Sequence, residues 1–159
     1  MISLGNDTIL RYRQFLEWAD TLRDMDDRLW TKPIADGKAT VADIVSHLQH
    51  WDYYLLHTVI PSIKNGEDIR FPDFDSYNEQ AYEYARSGVS KDKLLDELTQ
   101  TRLRLIELLR NEPDVAAKHV PVNGVARCPH TDTPYSLLYI VYEFIDHDAH
   151  HKNQILSVI

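Results

Sequence analysis

The chain has 159 residues, of which 43% are hydrophobic and 26% charged, and this composition suits one globular domain spanning residues 1–159. Five glycines and seven prolines are too few for the many tight turns of a β-sandwich. The formal net charge of −8 disfavours nucleic acid and anionic membranes as partners, because proteins that bind them present basic patches.

The first predicted helix covers about residues 7–29, where apolar side chains recur at intervals of three and four. Residues 30–38 follow it and contain Pro33 and Gly37, which interrupt helices. This segment therefore separates the first helix from the second.

The second predicted helix covers about residues 41–64 and carries a clear apolar stripe. Thr40 suits the N-cap position, and Asp43 places an acidic group in the first turn. Pro61 is expected to kink or end the last turn, and the pair Asn65 and Gly66 is typical of a helix stop.

Two further helices are predicted in the middle of the chain. A short, weakly amphipathic helix covers residues 77–87, with Asp75 or Ser76 as its cap. Ser90 caps a longer helix that runs to about Asn111 and buries a stripe of leucines.

Residues 113–133 are predicted to be a long irregular connection, with a short extended piece at 118–122. Thr133 followed by Pro134 indicates the start of the last helix, which runs almost to Ile159. The predicted fold is therefore all-α: a four-helix bundle with long crossover connections and one extra short helix.

Histidines on two of these helices are the strongest functional signal. His147 and His151 are four residues apart on the last helix, so their imidazoles can converge on one metal ion. In helical projection His151 falls within the apolar stripe, His147 falls at its edge and His150 turns toward solvent. His47 lies at the stripe edge of the second helix, whereas His50 projects away from it.

Three inward imidazoles suit a divalent metal such as zinc, nickel, cobalt, iron or manganese. Because three protein ligands leave coordination positions open, the pattern favours a catalytic rather than a structural site. Each half of the pattern alone is ambiguous, since an i,i+4 histidine pair is more often a surface or core-edge feature, and a lone core histidine is more often hydrogen-bonded.

Several acidic neighbours have open roles. Glu143 lies one turn before His147 and is a fourth ligand, a base or, most simply, a solvated residue. Asp146 and Asp148 are solvated or orient a ligating imidazole. Asp148 projects onto the apolar side of its helix, so its burial would require a partner.

The single cysteine, the other histidines and the N-terminal segment give weaker functional signals. Cys128 is the single cysteine, so no internal disulfide can form, and no neighbour in sequence is expected to lower its pKa. His119 and His130 lie in the long connection and are expected to be exposed. No apolar run is long enough to cross a membrane, and residues 1–7 lack a signal-peptide pattern, so a cytoplasmic protein is expected.

Three segments resemble the DinB-like superfamily. They are residues 32–38 (KPIADGK), residues 41–51 (VADIVSHLQHW) and residues 145–155 (IDHDAHHKNQI), the last with an H-x3-H pair followed by Gln-Ile. Their order and spacing cover nearly the whole chain. The resemblance implies a four-helix bundle of DinB-like topology, a homodimer, and a nickel or zinc ion held by one histidine of the second helix and the H-x3-H pair.

Carried onto this chain, those ligands are His47, His147 and His151, with His50 as a competitor of His47 one turn away. Related families include S-transferases that use thiols such as bacillithiol or mycothiol, and a maleylpyruvate isomerase. The leading hypothesis is thus a metal-dependent enzyme that activates a low-molecular-weight thiol or a water. The alternatives are a metal-dependent hydrolase and a non-catalytic, stress-related metal-binding dimer. For an enzyme, a small-molecule substrate of unknown identity is expected.

Overall fold

Four long helical segments form the bundle that the apolar periodicity predicts. The computed structural model describes residues 4–159. The first three residues of segment 1–7, for which no signal peptide is expected, therefore lie outside the described residues. The long segments are α1 (Leu4–Asp20), α3 (Val41–Tyr54) continuing through a π-helical turn (Leu55–Val59) into α4 (Ile60–Lys64), α6 (Lys91–Asn111) and α8 (Leu137–Leu156). The shorter helices are α2 (Asp27–Trp30), α5 (Phe74–Ala85) and α7 (Pro113–Ala117).

The long helices pack around one interior. Helix α3 contacts α6 and α5, and α1 contacts α8 and α6, so α5 lies on the outside of the bundle against α3. The only β-type pairing across residues 4–159 consists of isolated bridges, such as the one between Ile69 and Val122. Within the same residues, no helix combines the length and the apolar character needed to cross a membrane.

The prediction of one continuous first helix is wrong over its second half. Helix α1 ends at Asp20, a 3-10 turn covers Thr21–Asp24, and Met25 is extended at φ −65° and ψ 139°. Asp26 then accepts a hydrogen bond from the backbone N–H of Arg28 and starts α2. An aspartate that bonds to nearby backbone favours a new helix start over continuation, which apolar periodicity does not register.

The second predicted helix is confirmed, including its start. Thr40 and Asp43 form a capping box in which each side chain accepts from the other residue's backbone N–H. Pro61 does not end the helix. The π-helical turn lies directly before it and relieves the clash that its ring would make with a carbonyl of the preceding turn. Gly66, at φ +74°, follows the helix end as predicted.

Two helix starts differ from prediction. Helix α5 begins three residues early, because Asp73, rather than Asp75 or Ser76, accepts from the backbone N–H of Ser76. Helix α8 is capped by Ser136, whose hydroxyl accepts from the backbone N–H of Tyr139.

Thr133 and Pro134 therefore do not start the last helix. Pro134 instead pairs with Arg127 in an isolated bridge. Residues 113–117, predicted to be irregular, form α7 with proline in its first turn. Ser90 caps α6 as predicted.

A buried polar network divides the apolar interior into two clusters. Arg102 is 1% exposed, and its guanidinium contacts Asp52 and Asp148, each at 2.8 Å. The Tyr12 hydroxyl donates to Asp52, and its ring lies 3.9 Å from the guanidinium carbon. Arg102 is thus the partner that the burial of Asp148 requires, and the network joins α1, α3, α6 and α8.

Candidate metal centre

Three imidazoles meet between α3 and α8. The Nε2 atom of His147 lies 3.1 Å from Nε2 of His47 and 3.0 Å from Nε2 of His151. One ligand atom from each ring lies within 4.8 Å of the others. His47 is buried, and the other two histidines are partly exposed. The structure thus brings together the three residues singled out from the sequence, and metal binding by them stays a prediction.

Hydrogen bonds behind the rings set their orientation. Nδ1 of His47 lies 2.8 Å from the amide oxygen of Asn78, which also accepts at 2.9 Å from the indole N–H of Trp51. An indole N–H only donates, so it fixes the amide oxygen toward His47, and His47 must donate from Nδ1. Nδ1 of His151 lies 2.8 Å from the amide oxygen of Gln154, which only accepts, so His151 also donates from Nδ1.

The geometry of the three imidazoles suits a bound metal ion better than it suits hydrogen bonds between the rings. With Nδ1 donating, the Nε2 atoms of His47 and His151 both carry lone pairs directed at His147. His147 has one Nε2 hydrogen at most, so at least one of the two contacts sets lone pair against lone pair. Two nitrogens each about 2.1 Å from one metal lie about 3.0–3.4 Å apart, close to the spacing found here.

The protonation states also suit metal ligands. Burial, followed by repulsion from His151, lowers the pKa of His47 to about 4. Burial and the neighbouring histidines lower the pKa of His147 to about 3, and burial lowers the pKa of His151. Imidazoles bind metals in the neutral form, which these shifts favour at neutral pH.

Other histidines stay outside the cluster. His50 turns away from it, with Nδ1 at 2.7 Å from the backbone oxygen of Ser46, so His47 rather than His50 faces α8. His150 is exposed, as its helical phase predicts. His119 and His130 are both exposed, as expected, although His130 reaches the rim of a cavity.

That cavity, of about 640 Å³, opens beside the cluster. Aromatic side chains from three regions of the chain dominate its wall: Trp51, Phe71, Phe74, Tyr135, Tyr139 and Phe144. His47 and His147 reach it from the cluster side, so a molecule bound in the cavity would lie against the imidazoles. A volume of this size holds a drug-sized ligand.

Glu143 and Cys128 also line the cavity. Glu143 accepts a hydrogen bond from the Tyr139 hydroxyl and is not one of the clustered ligand atoms. Hydrogen bonding with Tyr139 and Thr131 lowers the pKa of Cys128 to about 7. The expectation that nothing lowers this pKa is wrong, because the donors come from the fold around the thiol.

Sequence reasoning missed two residues that hold the imidazoles. Gln154 is three residues after His151, a spacing that places both side chains on one face of α8 and gives a usable signal. Asn78 lies on α5, and only the docking of α5 against α3 brings it to His47.

The comparisons with known proteins agree with this architecture. A family model described as the DinB superfamily matches residues 12–155. YfiT from Bacillus subtilis, described as a probable metal-dependent hydrolase with an unusual four-helix bundle topology, has a similar structure, with a TM-score of 0.70. The match covers 99% of this chain and 88% of that chain at 19% identity, so it shows the fold alone. A search of curated proteins gives no match.

Proposed function

This chain belongs to the DinB superfamily, and we propose that it is a divalent-metal-dependent hydrolase whose ion, nickel or zinc, is held by His47, His147 and His151. The observation that carries the proposal is the convergence of three Nε2 atoms, two of which direct lone pairs at the third. The description of YfiT as a probable metal-dependent hydrolase supports the reaction class.

A divalent ion held at this cluster would supply Lewis acidity, which can polarise a carbonyl and lower the pKa of a water or thiol. The chain's own residues prepare the site for it. Asn78 and Gln154 keep the Nε2 lone pairs of His47 and His151 directed inward. The aromatic wall of the cavity gives a substrate a surface to bind against beside the cluster.

Thiol transfer is the second candidate, supported by the family resemblance. A thiol such as bacillithiol carries carboxylates, which arginine or lysine side chains bind best. The described residues that line the cavity include neither. Water, which needs no such contacts, is therefore the favoured nucleophile.

A matched pair of neighbouring histidines tests the metal site. We expect the wild-type protein to bind one equivalent of zinc or nickel by calorimetry. His151→Ala should weaken that binding at least about 100-fold, because it removes a ligand and leaves only two. His150→Ala is the control, since His150 is exposed on the same helix, and it should bind like the wild type. Unchanged binding in the single alanine variants of His47, His147 and His151 would show that the site lies elsewhere.

Turnover is tested separately with the metal-loaded protein. A panel of esters and amides should show hydrolysis that chelation abolishes and that His147→Ala removes. Conjugation of bacillithiol to monochlorobimane without hydrolysis would assign thiol transfer instead. Metal binding with neither reaction would assign a non-catalytic metal-binding protein.

A further inference from the structure

Four polar residues form a column along α8. Tyr139, Glu143, His147 and His151 follow one another at intervals of four, so they lie on one face about 6 Å apart along the axis. The first three line the cavity. Glu143 therefore stands on the cavity wall one helical turn from the imidazole cluster.

The Glu143 carboxylate is held in place by one hydrogen bond and keeps free acceptor sites. Its Oε1 atom accepts from the Tyr139 hydroxyl, which holds it against the wall. A carboxylate has about four acceptor sites, and this contact occupies one. It is the one carboxylate among the described residues that line the cavity.

The rest of the wall favours a positive partner. Aromatic faces attract organic cations, and Trp51, Phe74 and Phe144 line the same cavity. Lysine and arginine are missing from the described lining residues, so the wall offers no cation to a phosphate or carboxylate. An ammonium group gains from both the rings and Glu143, with no lysine or arginine among the described lining residues to oppose it.

We propose that the cavity selects esters or amides that carry a cationic nitrogen, which Glu143 receives about one helical turn from the scissile carbonyl at the imidazole cluster. This inference rests on the proposed hydrolase function. The two positions have opposite preferences, since an ion held by the cluster would attract the electron-rich carbonyl, whereas Glu143 attracts the ammonium. Hydrolysis adds one water across the acyl C–O or C–N bond, giving a carboxylic acid and an alcohol or amine.

A pair of isosteric probes tests the preference without metal or turnover. Benzyltrimethylammonium and its neutral isostere neopentylbenzene have nearly the same shape, and neither coordinates a metal. Calorimetry on the metal-free protein should show the cation binding at least about fivefold more tightly. Glu143→Gln should remove most of this preference while keeping an acceptor for Tyr139.

Asp146→Asn is the matched control, because it removes the same charge from an exposed site on α8 that does not line the cavity. It should keep the preference, which separates Glu143 from the general effect of a net charge of −8. Three results overturn the inference: equal binding of the two probes, no binding of either, or a preference that persists in Glu143→Gln. Absence of metal binding or turnover would overturn the proposed function, whereas the preference of the cavity for a cation is measured without either.

Discussion

The imidazole of His151 is held from behind by Gln154, whose amide oxygen lies 2.8 Å from Nδ1. We expect Gln154→Ala to weaken zinc binding about 10- to 100-fold, because the ring loses its fixed orientation and tautomer. Asn153→Ala, at the exposed neighbouring position, should leave the affinity unchanged. Calorimetric titration of both variants measures the difference, and equal affinities would show that this hydrogen bond does not position the ring.

The thiol of Cys128 gives a pH-dependent prediction. Only the thiolate reacts quickly with iodoacetamide, so the alkylation rate should rise with pH and reach half its maximum near the pKa of about 7. Tyr139→Phe removes a hydroxyl that hydrogen-bonds with the sulfur and should move the midpoint to higher pH. Mass spectrometry of samples alkylated between about pH 5 and 9 gives the profile, and a midpoint near 8.5, the ordinary value for a thiol, would contradict it.

Single residues were predictable where helical phase alone places them. His47, His147 and His151 could be singled out because their positions relative to the apolar stripes already direct them inward. Asn78 could not, because its contact with His47 depends on how two helices dock.

At the scale of helices, Arg102 ties α6 to α3 and α8. We expect Arg102→Met to lower the free energy of unfolding by about 3–5 kcal/mol, because Asp52 and Asp148 would remain buried without their partner. Arg104→Met, at an exposed position of the same helix, should change it by less than about 0.5 kcal/mol. Urea denaturation measures both, and similar losses in the two variants would rule out a special role for the network.

Arg102 also had a sequence signal of its own. It lies four residues after Leu98 and three before Leu105, both fully buried, so helical periodicity places Arg102 on the buried face of α6. An arginine at such a position, together with an aspartate, Asp148, on the apolar face of α8, indicates a buried ion pair. Reading the stripe of α6 from apolar residues alone leaves out Arg102.

Helix ends were less predictable than helix faces. Thr133 and Ser136 can both cap α8, and Asp73, Asp75 and Ser76 can all cap α5. Local sequence does not rank these residues. The connection before α8 decides the first case, because the backbone pairing of Arg127 with Pro134 keeps Thr133 outside the helix.

At the scale of the whole molecule, the bundle joins residues 100 positions apart in sequence, His47 and His147. The bundle itself follows from amphipathic helices, which have to bury their apolar faces against one another. The cavity does not follow in the same way. The connection before α8 supplies several of its lining residues, Val122 and Cys128 among them, and irregular backbone has no periodicity from which a position can be derived.

The central claim is that His47, His147 and His151 hold one divalent ion, and anomalous scattering from crystals of the zinc- or nickel-loaded protein tests it most directly. We expect one strong anomalous peak about 2.0–2.1 Å from the three Nε2 atoms, with at least one coordination position open toward the cavity. A peak bound instead through Glu143 or Cys128, or no peak at the three imidazoles in fully loaded protein, would contradict the claim.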